Sequence, residues 1–366
     1  MKLSLGNLPP IPATDRRTGG VHFDDIVAAR HLLAKYLTAT PLVTHPLLSR
    51  RLGCRAFVKL ENAQLLGSFK VRGGLNFLAH LAPAERARGV VTATRGNHGQ
   101  SLAYAAREFG VRTTIFVPHG NNPDKDAAMR ALGADVRVAG ADFDSAWEAA
   151  EAHAARSGAR LVHPSREPSL IAGYATVALE MLEQSTERLD FIFIPVGGGS
   201  LAAGMALAIR ALSPHTRIVG VQAAGAPALA RAYLTGELVE VPLAPTIADG
   251  LATRVPAAEP VQMLREMMND MVLVSEAELH GAIRCYAETL HQLAEGAGAA
   301  ALAGAIKLKA RIAGARVGVV LSGGNISHDV LLSVLHGDPL PAAQARAETE
   351  ALASMNYGVA KRNQEH

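Results

Sequence analysis

Short runs of β-branched and aromatic residues alternate along the chain with Ala- and Leu-rich stretches of helical period, and the runs end in glycine or polar turns. The runs at 57–60, 90–92, 114–117, 136–138, 161–163, 191–194, 218–221 and 317–320 read as strands, most of them apolar on both faces and so buried between helices. Helices are expected between them. One over 26–37 follows the acidic pair Asp24-Asp25, one over 127–132 follows Asn122-Pro123, and one over 103–109 follows a glycine-containing turn. Strand and helix in alternation predict βαβ units, parallel sheets and an α/β fold throughout. From Pro339 the text turns to Ala, Gln, Arg and Glu without a further strand, which predicts a terminal helix with a frayed end.

Composition narrows the function. The chain has 366 residues, 49% hydrophobic and 19% charged, with a formal net charge of +3. It is long enough for a large core, and no dense Lys/Arg run with interleaved aromatics marks a nucleic-acid binder, so small molecules are the expected partners. Prolines interrupt the N-terminal stretch before an apolar run reaches signal-peptide length, and no uncharged stretch has the length of a membrane span, so a cytoplasmic protein is expected. Cys54 and Cys285 read as core residues, and the fourteen histidines form no HExxH, so no metal site is expected.

Four segments carry candidate chemistry. The first, Gly67-Ser68-Phe69-Lys70-Val71-Arg72-Gly73-Gly74, follows a strand and a polar loop where a helix should begin. A lysine beside the positive end of a helix dipole has a lowered pKa, which suits it to attack an aldehyde; the alternative is a solvated surface lysine. In the second, Thr94-Arg95-Gly96-Asn97-His98-Gly99-Gln100-Ser101, a strand-to-helix turn exposes backbone amides that could bind a carboxylate, or is a plain turn. The third, Pro195-Val196-Gly197-Gly198-Gly199-Ser200-Leu201-Ala202-Ala203-Gly204, has three glycines that leave room for a phosphate at a helix start. It also loosely fits a dinucleotide fingerprint. The next strand runs into Gln222 and Ala223, however, where a ribose site wants Asp or Glu, so a phosphate monoester fits better than a nicotinamide cofactor. In the fourth, Leu321-Ser322-Gly323-Gly324-Asn325, Ser322 offers a neutral hydroxyl at a strand end.

The blocks GSFKVRGG, TRGNHGQS, PVGGGSLAAG, TIADGLA, EGAGAA and LSGGN occur in that order between about residues 37 and 327. In this the chain resembles the fold-type II pyridoxal 5'-phosphate enzymes of the serine/threonine dehydratase (ammonia-lyase) group. The resemblance implies two open twisted sheets with helices on both faces, as in the tryptophan synthase β chain. It divides the chain into a larger cofactor-binding domain (1–88 and 168–336), a smaller substrate-side domain (89–167) and a tail (337–366). It implies that Lys70 carries the cofactor as a Schiff base, that Phe69 lies against its ring and that Asn97 bonds its phenolic oxygen. Gly197, Gly198, Gly199, Ser200 and Leu201 would hold the phosphate, Ser322 would face the pyridine nitrogen, and Thr94, Arg95, Gly96, Asn97 and His98 would surround the substrate. A homodimer is implied as well. The implied reaction is α,β-elimination, in which the Lys70 amine removes the Cα proton, the β-hydroxyl leaves with the phosphate as its expected proton donor, and a 2-oxo acid and ammonia result.

The chain departs from the group's pattern in three places. Arg95 stands where a small residue is usual. Turned inward it would suit a second carboxylate, and it removes the serine that racemases of the group use as second base; turned outward it is a surface arginine. The stretch from Gln222 to Pro227 carries none of the acidic residues that bind a divalent cation in some members. Gly296 replaces proline after Glu295, which is placed either beside the cofactor or simply at a helix start. Threonine and serine are the default substrates. A hydroxyaspartate or bulkier β-hydroxy substrate, a β-replacement synthase and a non-catalytic cofactor-binding protein stand as alternatives, with His98 favouring elimination over replacement.

Overall fold

The computed structural model describes residues 20–337; the tail expected from Pro339 lies outside them. Among the described residues, ten strands form two sheets. β1 (Leu42–Val43), β2 (Arg55–Leu60), β7 (Phe191–Pro195), β8 (Arg217–Ala223), β9 (Asp270–Val274) and β10 (Arg316–Leu321) form a six-stranded sheet in the order β1-β2-β10-β7-β8-β9. β3 (Val90–Ala93), β4 (Thr113–Val117), β5 (Asp135–Val138) and β6 (Arg160–Leu161) form a four-stranded sheet in the order β5-β4-β3-β6. All pairings are parallel except that of the edge strand β1 with β2.

Period-two burial explains why helices cover both faces of the larger sheet. Phe57, Ile192, Ile194 and Val320 enter one core with the helices Lys70–Ala79, Pro168–Gln184 and Ser200–Leu212, while Val58, Phe193, Val319 and Leu321 enter a second with Glu276–Leu290 and Gly296–Lys307. In the smaller sheet Val91, Ala93 and Phe116 face the helix Phe143–Ser157, whereas Ile115 and Val117 face Ala103 and Met129.

Several expected bounds shift, for local reasons. The first helix runs Phe23–Leu33 because the His22 amide donates to the Asp25 carboxylate at 2.8 Å and closes its N-terminus. The helix expected at 127 begins at Pro123, where the Asn122 side chain accepts from the Asp124 amide at 2.8 Å. The one expected at 103 begins at Asn97, directly after Gly96. The strand expected over 161–163 covers only Arg160–Leu161, which frees His163 for the loop beyond it. β1 and β9 are additions. β1 has two residues, and β9 follows the helix Ala258–Met267 after only Met268 and Asn269, without the glycine or proline that would mark the break.

Candidate active site

The C-terminal ends of β2, β3, β6, β7 and β10 lead into loops that line one cavity of about 440 Å³. In parallel sheets the strand ends present free backbone groups and helix N-termini to a ligand, which makes this the expected place for a site. Lys70, Phe69, the Thr94–His98 turn, Gly197 to Leu201 and Ser322 all line this cavity.

Lys70 is the first residue of the helix Lys70–Ala79. Its Nζ lies 5.0 Å from the Phe69 ring centroid and 4.8 Å from that of Tyr174, and these two rings meet edge-on at 4.9 Å. Burial lowers the lysine pKa to about 8, against the opposing pull of the Glu295 carboxylate. Desolvation therefore brings this amine toward its neutral form, in the same direction as the helix dipole invoked from sequence. The helix is anchored from below by Arg72. Its guanidinium donates to Glu61 at 2.7 and 2.8 Å and to both Glu180 oxygens at 2.8 Å, all in the interior.

In the turn after β3, the Thr94 hydroxyl accepts from the Gly96 and Gly99 amides at 3.0 and 3.3 Å and so shapes the turn. The amides of Asn97 and His98 open the helix Asn97–Glu108 and have no intrahelical acceptor, which leaves them to a carboxylate. The His98 side chain turns away from that role. It is buried, and its Nε2 lies 3.2 Å from the Thr92 hydroxyl, which itself donates to the Val162 carbonyl at 2.7 Å; His98 Nε2 is therefore the donor. Burial and the Lys70 charge keep this imidazole neutral.

Asn97 is oriented by its neighbours. Asn325 Nδ2 donates to the Leu66 carbonyl and to Asn97 Oδ1, both at 2.8 Å, so Asn97 Nδ2 faces Glu295 and donates to it at 2.6 Å. One Asn97 N–H remains for a ligand oxygen. Glu295 precedes the helix Gly296–Lys307, is buried, and has its carboxyl pKa raised by desolvation. Both placements open from sequence thus hold together, at a helix start and against the site.

The glycine loop is pressed on every side. A Cβ on Gly197 would strike the Gly250 carbonyl, one on Gly198 would strike the Ser165 side chain, and one on Gly199, whose φ is +89°, would come within 2.8 Å of Pro260. Beyond it, the first amides of the helix Ser200–Leu212 lie free at a dipole end, as a phosphate requires. Ser322 Oγ makes only a 3.5 Å contact with the Ala297 carbonyl, leaving a neutral hydroxyl for a ring nitrogen. A near-neutral lysine, a crevice that side chains would fill and a hydroxyl at the strand end fit pyridoxal phosphate together.

Arg95 lies at the cavity edge, with its side chain 37% exposed and Nε 3.5 Å from Asp249, whose other oxygen accepts from Lys125 Nζ at 2.9 Å. Lys125, Asp249, Trp147, His163 and Ser165 also line the cavity and received no role from sequence. Asp249 lay within a quoted block, TIADGLA; the other four carry no local signal. Among the described residues no cluster of three or more His, Cys, Asp or Glu is arranged to hold a metal ion, and no helix is long and apolar enough to cross a membrane.

A family model described as pyridoxal-phosphate dependent enzyme matches residues 33–323, and the chain belongs to that family, with the two-sheet architecture of its fold-type II members and pyridoxal phosphate as cofactor. Within it, the chain is similar to ammonia-lyases. An L-threonine ammonia-lyase of Geobacter sulfurreducens is 37% identical over 333 residues, covering 87% of this chain and 83% of the relative. An L-threo-3-hydroxyaspartate ammonia-lyase of a Pseudomonas species is 35% identical over 315 residues, covering 86% and 98%. The structure of maize serine racemase matches with a TM-score of 0.81 at 30% identity, covering 87% of this chain and 97% of that one.

Proposed function

We propose that the protein is an ammonia-lyase that removes water from a β-hydroxy amino acid of the threonine or serine type, releasing a 2-oxo acid and ammonia. The observation that carries this reading is a lysine of pKa about 8 facing the same cavity as two sets of unpartnered helix-start amides. The amides of Asn97 and His98 bind the substrate carboxylate, and those after Gly199 bind the phosphate. Pyridoxal phosphate, when bound, supplies the sink for the electron pair left on Cα. Lys70 Nζ takes the Cα proton, and Phe69 and Tyr174 confine its side chain. Asn97 gives its remaining N–H to the cofactor's phenolic oxygen. Ser322 shares one hydrogen bond with the ring nitrogen but holds no proton there as a carboxylate would, which favours prompt loss of the β-substituent over transamination.

Arg95 supports a second reading, elimination from L-threo-3-hydroxyaspartate. Its guanidinium could take the extra carboxylate while Lys125 keeps Asp249 neutralised. In either case we assign the protein to the cytoplasm as a homodimer, with residues 89–167 as the smaller domain that brings the carboxylate turn to Lys70. The test is a visible spectrum before and after borohydride, followed by 2-oxo acid release from L-threonine, L-serine and L-threo-3-hydroxyaspartate. A reducible band with release from one substrate supports the reading and selects the substrate; a band without release from any of them overturns it.

A further inference from the structure

The segment after β6 joins the two anion-binding turns. On one side the Pro164 carbonyl accepts from Ser200 Oγ at 3.3 Å, and the Ser165 side chain fills the space beside Gly198. On the other, the Val162 amide donates to the Val91 carbonyl at 2.9 Å, continuing the pairing with β3. His163 therefore stands between the phosphate loop and the carboxylate turn, with its ring in the cavity wall.

Its protonation state follows from one contact. The Ser165 amide donates to His163 Nδ1 at 3.1 Å; an amide can only donate there, so Nδ1 presents its lone pair and the neutral ring carries its proton on Nε2. Burial and the charges of Arg166 and Lys70 push the pKa down to about 3, which keeps the ring neutral wherever the enzyme works. Trp147 holds the ring edge-on, with centroids 4.7 Å apart at 72°. Among the described residues no protein group accepts from Nε2, and that atom is not among the buried polar atoms sealed from solvent. The wall thus offers a fixed, uncharged N–H donor close enough to Lys70 to feel its charge.

We propose that His163 Nε2–H donates a hydrogen bond to the β-hydroxyl oxygen of the substrate as that oxygen leaves; the inference rests on the elimination reading above. With the carboxylate on the Asn97 and His98 amides and Cα at Lys70, the β-carbon faces the wall that connects the two turns, where His163 stands. The Cα–H bond breaks, its proton passes to Lys70 Nζ, and its electron pair forms the Cα–Cβ double bond. The Cβ–O bond breaks with its pair on oxygen, the proton on Lys70 Nζ completes a water molecule, and His163 keeps its own proton. An uncharged donor stabilises the negative charge developing on oxygen without placing a second cation beside Lys70.

The test compares L-serine with β-chloro-L-alanine, which share a skeleton but differ in that chloride departs without a proton. The wild-type holoenzyme, His163→Leu and His163→Gln are assayed for pyruvate release, and the cofactor absorption band of each is recorded. His163→Leu should lose about 10²-fold in kcat on L-serine and stay within about threefold on β-chloro-L-alanine. His163→Gln, which restores a neutral N–H, should recover most of the loss, and all three bands should coincide. Equal losses on both substrates, a displaced band or full L-serine turnover in His163→Leu would overturn the proposal. Failure of the wild type on both substrates and on L-threonine and L-threo-3-hydroxyaspartate would refute the elimination reading itself.

Discussion

Replacing Arg72 with methionine removes one cation from a buried quartet and should disturb both stability and the placement of Lys70. The quartet is Arg72, Lys59, Glu61 and Glu180, all at most 3% exposed, and its formal charge is zero. Lys59 Nζ donates to Glu180 at 2.6 Å, to the Thr40 carbonyl at 2.7 Å and to Gln184 at 2.9 Å, and the Thr40 amide donates to Glu180 at 3.3 Å, so Glu180 keeps a cation and an amide without Arg72. Glu61 keeps only the Thr40 hydroxyl, at 2.5 Å, leaving one uncompensated carboxylate in the interior. Breaking a buried pair from one side costs about 3–5 kcal/mol. At an unfolding entropy of about 2.1 cal/mol/K per residue, a chain of 366 residues loses roughly 4–7 °C of Tm. Because Arg72 and Lys70 share the first turn of one helix, kcat should fall more than substrate affinity.

Adding Glu61→Gln to Arg72→Met returns the quartet to zero charge, with Lys59 and Glu180 still paired, and should recover much of the lost Tm. Calorimetry of the two single variants and the double variant closes the cycle. The burial argument is refuted if Arg72→Met melts within about 1 °C of the wild type, or if the double variant is less stable than the sum of the singles. The sign of the pH dependence is fixed as well. Burial tends to raise the Glu180 pKa, but Arg72 and Lys59 more than reverse that, so the folded-state value lies below the unfolded one. Stability from Glu180 is present above the unfolded carboxylate pKa and is lost as pH falls through the folded value; Arg72→Met should weaken this acid-side loss.

Two further predictions concern the cofactor. Because the Lys70 pKa is lowered from 10.5 to about 8, the rate at which cofactor-free protein develops its absorption band with pyridoxal phosphate should climb about tenfold per pH unit below 8 and level off above it; an inflection near 10.5 would mean that the amine is not desolvated. Gly198→Ala places a methyl against Ser165 and should weaken cofactor binding by about 1–3 kcal/mol, read by equilibrium dialysis. Ser165→Gly in the same chain should restore it, and a Gly198→Ala protein that binds normally would show the loop to be looser than its contacts imply.

The parts of this protein legible in its sequence were those whose physics is local. Apolar runs buried on both faces announced the parallel strands, and glycines followed by a helix start announced the two turns with free helix-start amides, because free amides and a dipole end need nothing distant to exist. Glu295 was seen but left between two roles, since only the convergence of Asn325, Asn97 and Glu295 from three loops shows that it fills both. His163, Ser165 and Lys125 were missed for the same reason. His163 and Ser165 sit in the loop after β6 and Lys125 in the helix that opens at Pro123 after β4, and their neighbours are those that the strand order β5-β4-β3-β6 supplies. The Arg72 quartet is the clearest case. Its members come from β2, the turn after it and two helices, and nothing local in the sequence links them to one another. Only burial turns them into the rigid support of the helix that carries Lys70, so the residues that position this lysine are less visible in the sequence than those that line the cavity beside it.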